Sequence, residues 1–300
     1  MKKTFSALKA TALASLAAFA ITTTASAQIL YKIEKPGSDK TSYILGTHHF
    51  SPLSTVDCIE ELPAIIKSVD KVYGELDMSV MKDPAALMSM QQKMMAQPDS
   101  TLTKLLKQEQ LDSITTAWST YVGDPSQLQM ILPMVKPAVI STALAAGMSA
   151  KALPDYNPQV SIDGTMQERA AEAGKTVAGL ETMDYQISML YDSPISEQLE
   201  SLMKTIANAE EENSNAVALC EAYKNHDIDA LYKIISEATK ETPESLDKMI
   251  YVRNDNWVKQ LSEEMPGTSL LIVVGAGHLP GERGVLEGLK KAGFSVTGIN

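Results

Sequence analysis

Leu270-Leu271-Ile272-Val273-Val274, within the strand-like run Ser269–Gly275, is apolar throughout. A strand of that kind must be covered on both faces, which places it at the centre of a sheet packed between other layers. It runs on into Ala276-Gly277-His278. An earlier segment, Ile44-Leu45-Gly46-Thr47-His48-His49, repeats the order: apolar strand, glycine, two residues, histidine. Two of the 4 histidines in the chain, His49 and His278, therefore stand three residues after the glycine that ends an apolar strand. Open α/β sheets gather their ligands there, and glycine lets the backbone turn sharply.

The remaining strand-like runs are Ile29–Glu34, Lys71–Leu76, Thr176–Leu180 and Phe294–Ile299. Ile29–Glu34 and Thr41–Gly46 flank Pro36-Gly37-Ser38-Asp39, whose turn chemistry makes them a hairpin. A helical stretch around Glu60–Ser68 precedes Lys71. Between Asp83 and Pro266 the pattern is mostly helical. Asp83-Pro84, Asp124-Pro125, Ser193-Pro194 and Thr242-Pro243 each place a side-chain acceptor before a proline, the chemistry of a helix start. Ile195, Leu199, Leu202, Met203 and Ile206 share one helix face. Leu128–Met148 is apolar enough for a membrane segment, but Pro133, Lys136 and Pro137 divide it into two packed helices. The expected fold is therefore α/β (α+β): a central mixed sheet formed from N- and C-terminal strands, with a large, mostly helical insertion.

The chain has 300 residues, 44% apolar and 21% charged, enough to bury a core without disulfides or metal. Met1-Lys2-Lys3, an apolar run from Ala10 to Ile21 and Ala25-Ser26-Ala27 read as a cleavable signal peptide over residues 1–27. The mature chain, 28–300, is then a single exported domain, periplasmic or secreted, without a membrane anchor. The full chain carries a net charge of −11 and the leader supplies three of its lysines, so the mature chain is more acidic still, and nucleic acid and anionic lipid are poor partners. Cys58 and Cys220 remain, as a disulfide or as two free thiols.

Carboxylates occupy places equivalent to the histidines. Val72-Tyr73-Gly74-Glu75 and Val177-Ala178-Gly179-Leu180-Glu181 both end strands in glutamate. Two imidazoles and two carboxylates at strand ends suit a divalent metal with an open position, or a paired acid and base.

Gly46-x-x-His49, Glu75, a helix holding Asp163 and Glu168, Gly179-Leu180-Glu181-Thr182, Arg253-Asn254 and Gly275-x-Gly277-His278-Leu279-Pro280-Gly281 occur in the order that resembles the TraB/GumN family. The resemblance spans about Ile29 to Asn300, and the twin Gly-x-x-His motifs are its most specific part. It implies a sheet-and-helix fold related to erythromycin-esterase-like and haem-binding ChaN-like proteins, and kinship with the Tiki metalloproteases. By matching position, His49, Glu75, Glu181 and His278 surround the site, with a metal on His49, Glu75 and His278. Glu75, Glu181 and Arg253 carry the catalytic roles and Asn254 stands beside them. His48 occupies a slot that is usually apolar, either as a second polar group in the crevice or simply tolerated.

The function expected is an exported, metal-dependent hydrolase, metallopeptidase-like, using a divalent ion (Mn, Zn or Co) on a peptide or related acyl substrate. The alternative is a non-catalytic binder that sequesters a peptide, haem or another small molecule. Arg253 would clamp an anion, or else form a helix-surface salt bridge with Asp255 or Glu263. Met78, Met81, Met88, Met90, Met94 and Met95 crowd one segment, most simply as core filling on an amphipathic helix, otherwise as an adaptable peptide surface or a Cu(I) site. His226, in Asn225-His226-Asp227, reads as a solvated joint between two helices.

Overall fold

A computed structural model of the chain describes residues 28–153, 156–157, 160–238 and 243–299. The expected signal peptide and the expected cap Thr242 lie outside them. Six strands form one mixed sheet: β1 (Leu30–Glu34), β2 (Thr41–Thr47), β3 (Lys71–Leu76), β4 (Thr176–Glu181), β5 (Leu270–Gly275) and β6 (Ser295–Ile299), in the order β4-β3-β5-β2-β1-β6. The apolar β5 lies inside the sheet, between β3 and β2 and parallel to both, with Leu270, Leu271, Ile272, Val273 and Val274 all at 0% exposure. β4 joins β3 in parallel, while β1 pairs antiparallel with β2 and with β6. β1 and β2 are the hairpin read from the sequence. Its turn needs a left-handed residue, which Gly37 supplies with φ +86°.

The parallel block has a functional consequence. Gly74 is level with Gly179 and with Val273, and Thr47 with Gly275, so β4, β3, β5 and β2 end along one edge. At the opposite end, the Asp70 carboxylate accepts from Ser269 N, Ser269 Oγ and Lys40 Nζ at 2.8–2.9 Å and ties the start of β3 to that of β5. Those donors hold its pKa well below the ordinary carboxylate range. Its stabilisation is therefore present above pH 4 and disappears as the pH falls far below it. Because the side chain is half exposed, Asp70→Ala is expected to cost only about 1 kcal/mol at pH 7, a deficit that vanishes in strong acid when urea midpoints are compared.

Helices α1 (Leu62–Ser68), α2 (Pro84–Met94), α3 (Gln108–Tyr121), α4 (Pro125–Ile131), α5 (Pro137–Ala152) and α6 (Ile162–Glu172) precede β4. α7 (Met183–Tyr191), α8 (Ile195–Ala207), α9 (Ala209–Lys224), α10 (Ile228–Ala238) and α11 (Val252–Glu264) lie between β4 and β5, and α12 (Val285–Lys291) precedes β6. Alternation along β3 separates the two covering layers. Tyr73 and Glu75 bond α11 residues, Glu264 and Arg253, whereas Gly74 abuts Gln167 of α6. α3, α4, α5 and Leu202 of α8 form a second core around Ile114, Trp118, Leu128, Ile140 and Leu144. Leu128–Met148 is thus the end of one helix, a turn at Pro133 and most of another, and no helix among the described residues is long and apolar enough to cross a membrane.

Asp83 and Asp124 cap α2 and α4, each accepting from the N–H two residues on. Ser193 does not cap. α8 begins one residue later than its pattern suggests, with Pro194 at the N-cap. The methionine segment departs further from core filling. No residue of α2 is buried, and Met88 is 60% exposed. The helix lies against α7, where Lys93 pairs with Asp184 and Ser188, and Leu87, Met90 and Met94 are only half-buried while Met88 faces solvent. Cys58 and Cys220 are both free thiols, the first exposed and the second buried.

Candidate functional site

The strand-end edge collects the expected residues. Arg253, on the first turn of α11, is 5% exposed and lies between Glu75 of β3 and Glu181 of β4. Its Nε donates to Glu181 Oε1 at 2.8 Å, and Nη2 to Glu181 Oε2 at 2.9 Å and Glu75 Oε2 at 2.6 Å. Nη1 donates to the Met249 carbonyl at 3.0 Å and lies 3.1 Å from His278 Nε2. Five partners meet the five N–H groups of a guanidinium, so Arg253 clamps the protein's own carboxylates with no donor left over. The expected partner Asp255 pairs with Arg283 instead.

Glu181 is also saturated, because its oxygens accept from Trp257 Nε1 at 3.0 Å and Gln186 Nε2 at 3.1 Å in addition to Arg253. Glu75 is not. Oε1 accepts from Gly275 N at 2.8 Å and Oε2 from Arg253, which leaves a lone pair on each oxygen. Burial pushes the Glu75 carboxyl up, but the positive charge around it and the Gly275 N–H outweigh burial and bring it down to about 2. At neutral pH that charge is Arg253 and His49. His278 joins only in acid, after taking its own proton.

His278 is 4% exposed and packs on Trp257 with ring centroids 4.4 Å apart. Asn254 Nδ2 donates to the His278 and Arg283 carbonyls, so its Oδ1 is the atom 2.7 Å from His278 Nδ1. His278 must therefore carry its proton on Nδ1 and keep the Nε2 lone pair, 3.8 Å from Glu75 Oε1. Burial, aided by Arg253 and His49, lowers its pKa to about 4, so the ring is neutral at pH 7.

His49 differs. Its side chain is 63% exposed, and Nδ1 lies 3.3 Å from Asp163 Oδ2 of α6, whose Oδ1 accepts from Thr47 at 2.9 Å. The bond to Asp163, and the negative charge of Asp163 and Glu75, raise its pKa to about 9 against the positive charge of Arg253. The resting site thus holds a cationic His49, an anionic Glu75 and a neutral His278. His48 turns away from this set. Its Nδ1 is 3.2 Å from Ser51 Oγ, its ring lies over Tyr223, and burial lowers its pKa to about 4. His226 is half-buried, with φ +57° at the joint between α9 and α10 and Nε2 3.4 Å from the Thr55 carbonyl.

The glycines of the twin motifs bring the two loops together. A Cβ on Gly46 would meet Leu279 Cδ1 at 2.8 Å and the Ala276 backbone at 3.1 Å, inside the loop that carries His278. Gly46→Ala is expected to cost about 1–3 kcal/mol by overpacking, read as a lower urea midpoint.

Sequence reading left Thr47, Trp257, Gln186 and the Gly275 N–H without roles, and named Asp163 only through the resemblance. Trp257 had a legible signal, since it stands four residues after Arg253 on one helix and its ring lies 4.8 Å from the guanidinium carbon. No curated protein and no solved structure matches the chain. The TraB/PrgY/gumN family model matches residues 29–298, from the first strand of the sheet to the last and through every group at its carboxyl edge, and the chain belongs to that family.

Proposed function

We propose that the chain is an exported hydrolase of peptide or related acyl bonds that works with a divalent metal ion, Mn, Zn or Co, on His49, Glu75 and His278. The observation that carries this reading is the tethering of both imidazoles. Nδ1 of His49 is bonded to Asp163 and Nδ1 of His278 to Asn254, so Nε2 is the atom each ring would offer an ion, His49 only after giving up its Nε2 proton. Oxygen acceptors behind ligating histidines orient them in this way. Two imidazoles and one ionised carboxylate with free lone pairs form a donor set that leaves a position open for water. Among the described residues no group of three or more His, Cys, Asp or Glu side chains is already arranged to hold an ion, and His278 Nε2 faces Arg253 Nη1. Loading therefore requires that contact to yield.

A bound ion would supply Lewis acidity, polarising a carbonyl and lowering the pKa of a water. The chain's own residues do the rest. Arg253 keeps Glu75 ionised and in place, Glu181 and Trp257 hold Arg253, and Asp163 orients His49. The exposure of His49 opens the site to a substrate from solvent. Saturated Glu181 fixes the clamp, which leaves Glu75 as the carboxylate able to ligate or accept a proton.

The test is metal analysis of the purified mature chain after dialysis against Mn, Zn and Co, together with mass-spectrometric scanning of a peptide library. The expected result is one ion per chain, lost in His278→Ala, and cleavage that depends on it. A chain that takes up no ion and cleaves nothing defeats the proposal, and ligand capture without cleavage would favour the binder. Export predicts that the protein recovered outside the cytoplasmic membrane begins at Gln28.

A further inference from the structure

A second feature of α6 lies beside this site. Asp163 reaches His49 from the first turn of the helix, and the same helix forms one wall of a cleft of about 380 Å³. The facing wall is the segment that follows Glu75, with Met78, Met81 and Lys82, and Val160 and Val177 complete the apolar lining. The cleft thus shares its two walls with the elements that hold Glu75 and His49. It opens at Asp77, just past the carboxyl end of β3, and runs along α6 towards Val177 near the start of β4. Its volume is within the range of about 300–1,000 Å³ usual for small-molecule sites.

The chemistry of the lining selects an occupant. Lys82 and Glu168 bring opposite charges, and Asp77 uses its carboxylate to cap the Ser79 N–H, so the lining offers an anion no net attraction. Apolar surface remains. Met81 and Val160 are about 40% exposed and stand with Met78 and Val177 in the lining, so the cleft presents contiguous apolar surface to an occupant. Methionine is unbranched and polarisable, and adapts to aliphatic or aromatic groups of different shape.

We propose that this cleft is the specificity subsite of the hydrolase: it receives the apolar side chain of the substrate residue that flanks the bond placed between His49 and Glu75. The proposal rests on the hydrolase reading for the position of that bond, and the cleft can be tested separately from cleavage. Full-length mature protein carrying methyl-¹³C methionine is titrated with acetyl-Ala-Leu-Ala-amide and with acetyl-Ala-Asp-Ala-amide. The Met78 and Met81 methyl signals are expected to move and saturate with the leucine peptide alone, while Met130, outside the cleft, stays still. Met81→Glu should weaken that binding by about tenfold or more and abolish the preference for apolar residues at one position of a cleaved library. Met81→Leu should preserve both. Methyl signals that ignore the leucine peptide, or follow both peptides equally, overturn the proposal. Cleavage whose preference is unchanged in Met81→Glu overturns it too. Methyl signals that respond in a protein that cleaves nothing would sink the hydrolase reading and leave the cleft as a peptide side-chain site.

Discussion

Arg253→Met is expected to lower stability by about 3–5 kcal/mol at neutral pH, the usual consequence of removing one partner from a buried ion pair. The guanidinium is the cation between Glu75 and Glu181, whose side chains are only 11% and 7% exposed. Methionine fills similar volume but leaves both carboxylates without their partner. The pH dependence has a definite sign. Glu75 has a depressed pKa, so the stability it contributes is present above the unfolded value near 4.5 and is lost as the pH falls towards about 2. The gap between wild type and variant should therefore be widest above pH 5 and narrow steadily below it. Urea denaturation across that range measures it. Adding Glu181→Gln to Arg253→Met should recover part of the loss, because one uncompensated charge is then removed. A constant gap at all pH values would mean that packing, and not charge, is what Arg253 provides.

His49→Ala should separate function from stability in the opposite way. Under the proposed reading, cleavage falls by about 10²–10⁴-fold, the range seen when an acid, base or equivalent group is removed. The fold should lose no more than about 1 kcal/mol, the usual limit for an ion pair whose imidazole is largely in solvent. What stability His49 does contribute follows its raised pKa. It is fully present below pH 6.5, where both folded and unfolded rings are charged, and is lost as the pH rises through about 9. Urea midpoints of the two proteins should converge above that point. His278→Ala is the useful contrast. It removes a buried ring stacked on Trp257 and leaves Asn254 Oδ1 unpaired, so it should lose activity and about 2–4 kcal/mol of stability together.

Much of this architecture was legible in the residues. All six strands lie within a residue or so of their sequence-read bounds, because apolar runs punctuated by glycine and proline leave few alternatives. Proline placement divided Leu128–Met148 correctly. Where the sequence misled, the missing information was a neighbour. The methionines of α2 resemble one face of a core helix, yet among the described residues α7 covers them only in part and Met88 stays exposed. Ser193 has the chemistry of a cap, but α8 starts after Pro194. Cys58 and Cys220 could be counted but not placed.

For the site, residue order determined which imidazoles and carboxylates stand at strand ends, because a side chain's position on a strand follows from local pattern alone. Only the tertiary structure decided what each is free to do. Two hydrogen-bonded neighbours outside the expected set, Trp257 and Gln186, complete the bonds of Glu181, while Glu75 keeps lone pairs. A single guanidinium, 178 residues from Glu75 and 72 from Glu181, pairs with both at once. Whether an acidic group is saturated or available depends on the donors around it in space, and sequence spacing does not record them.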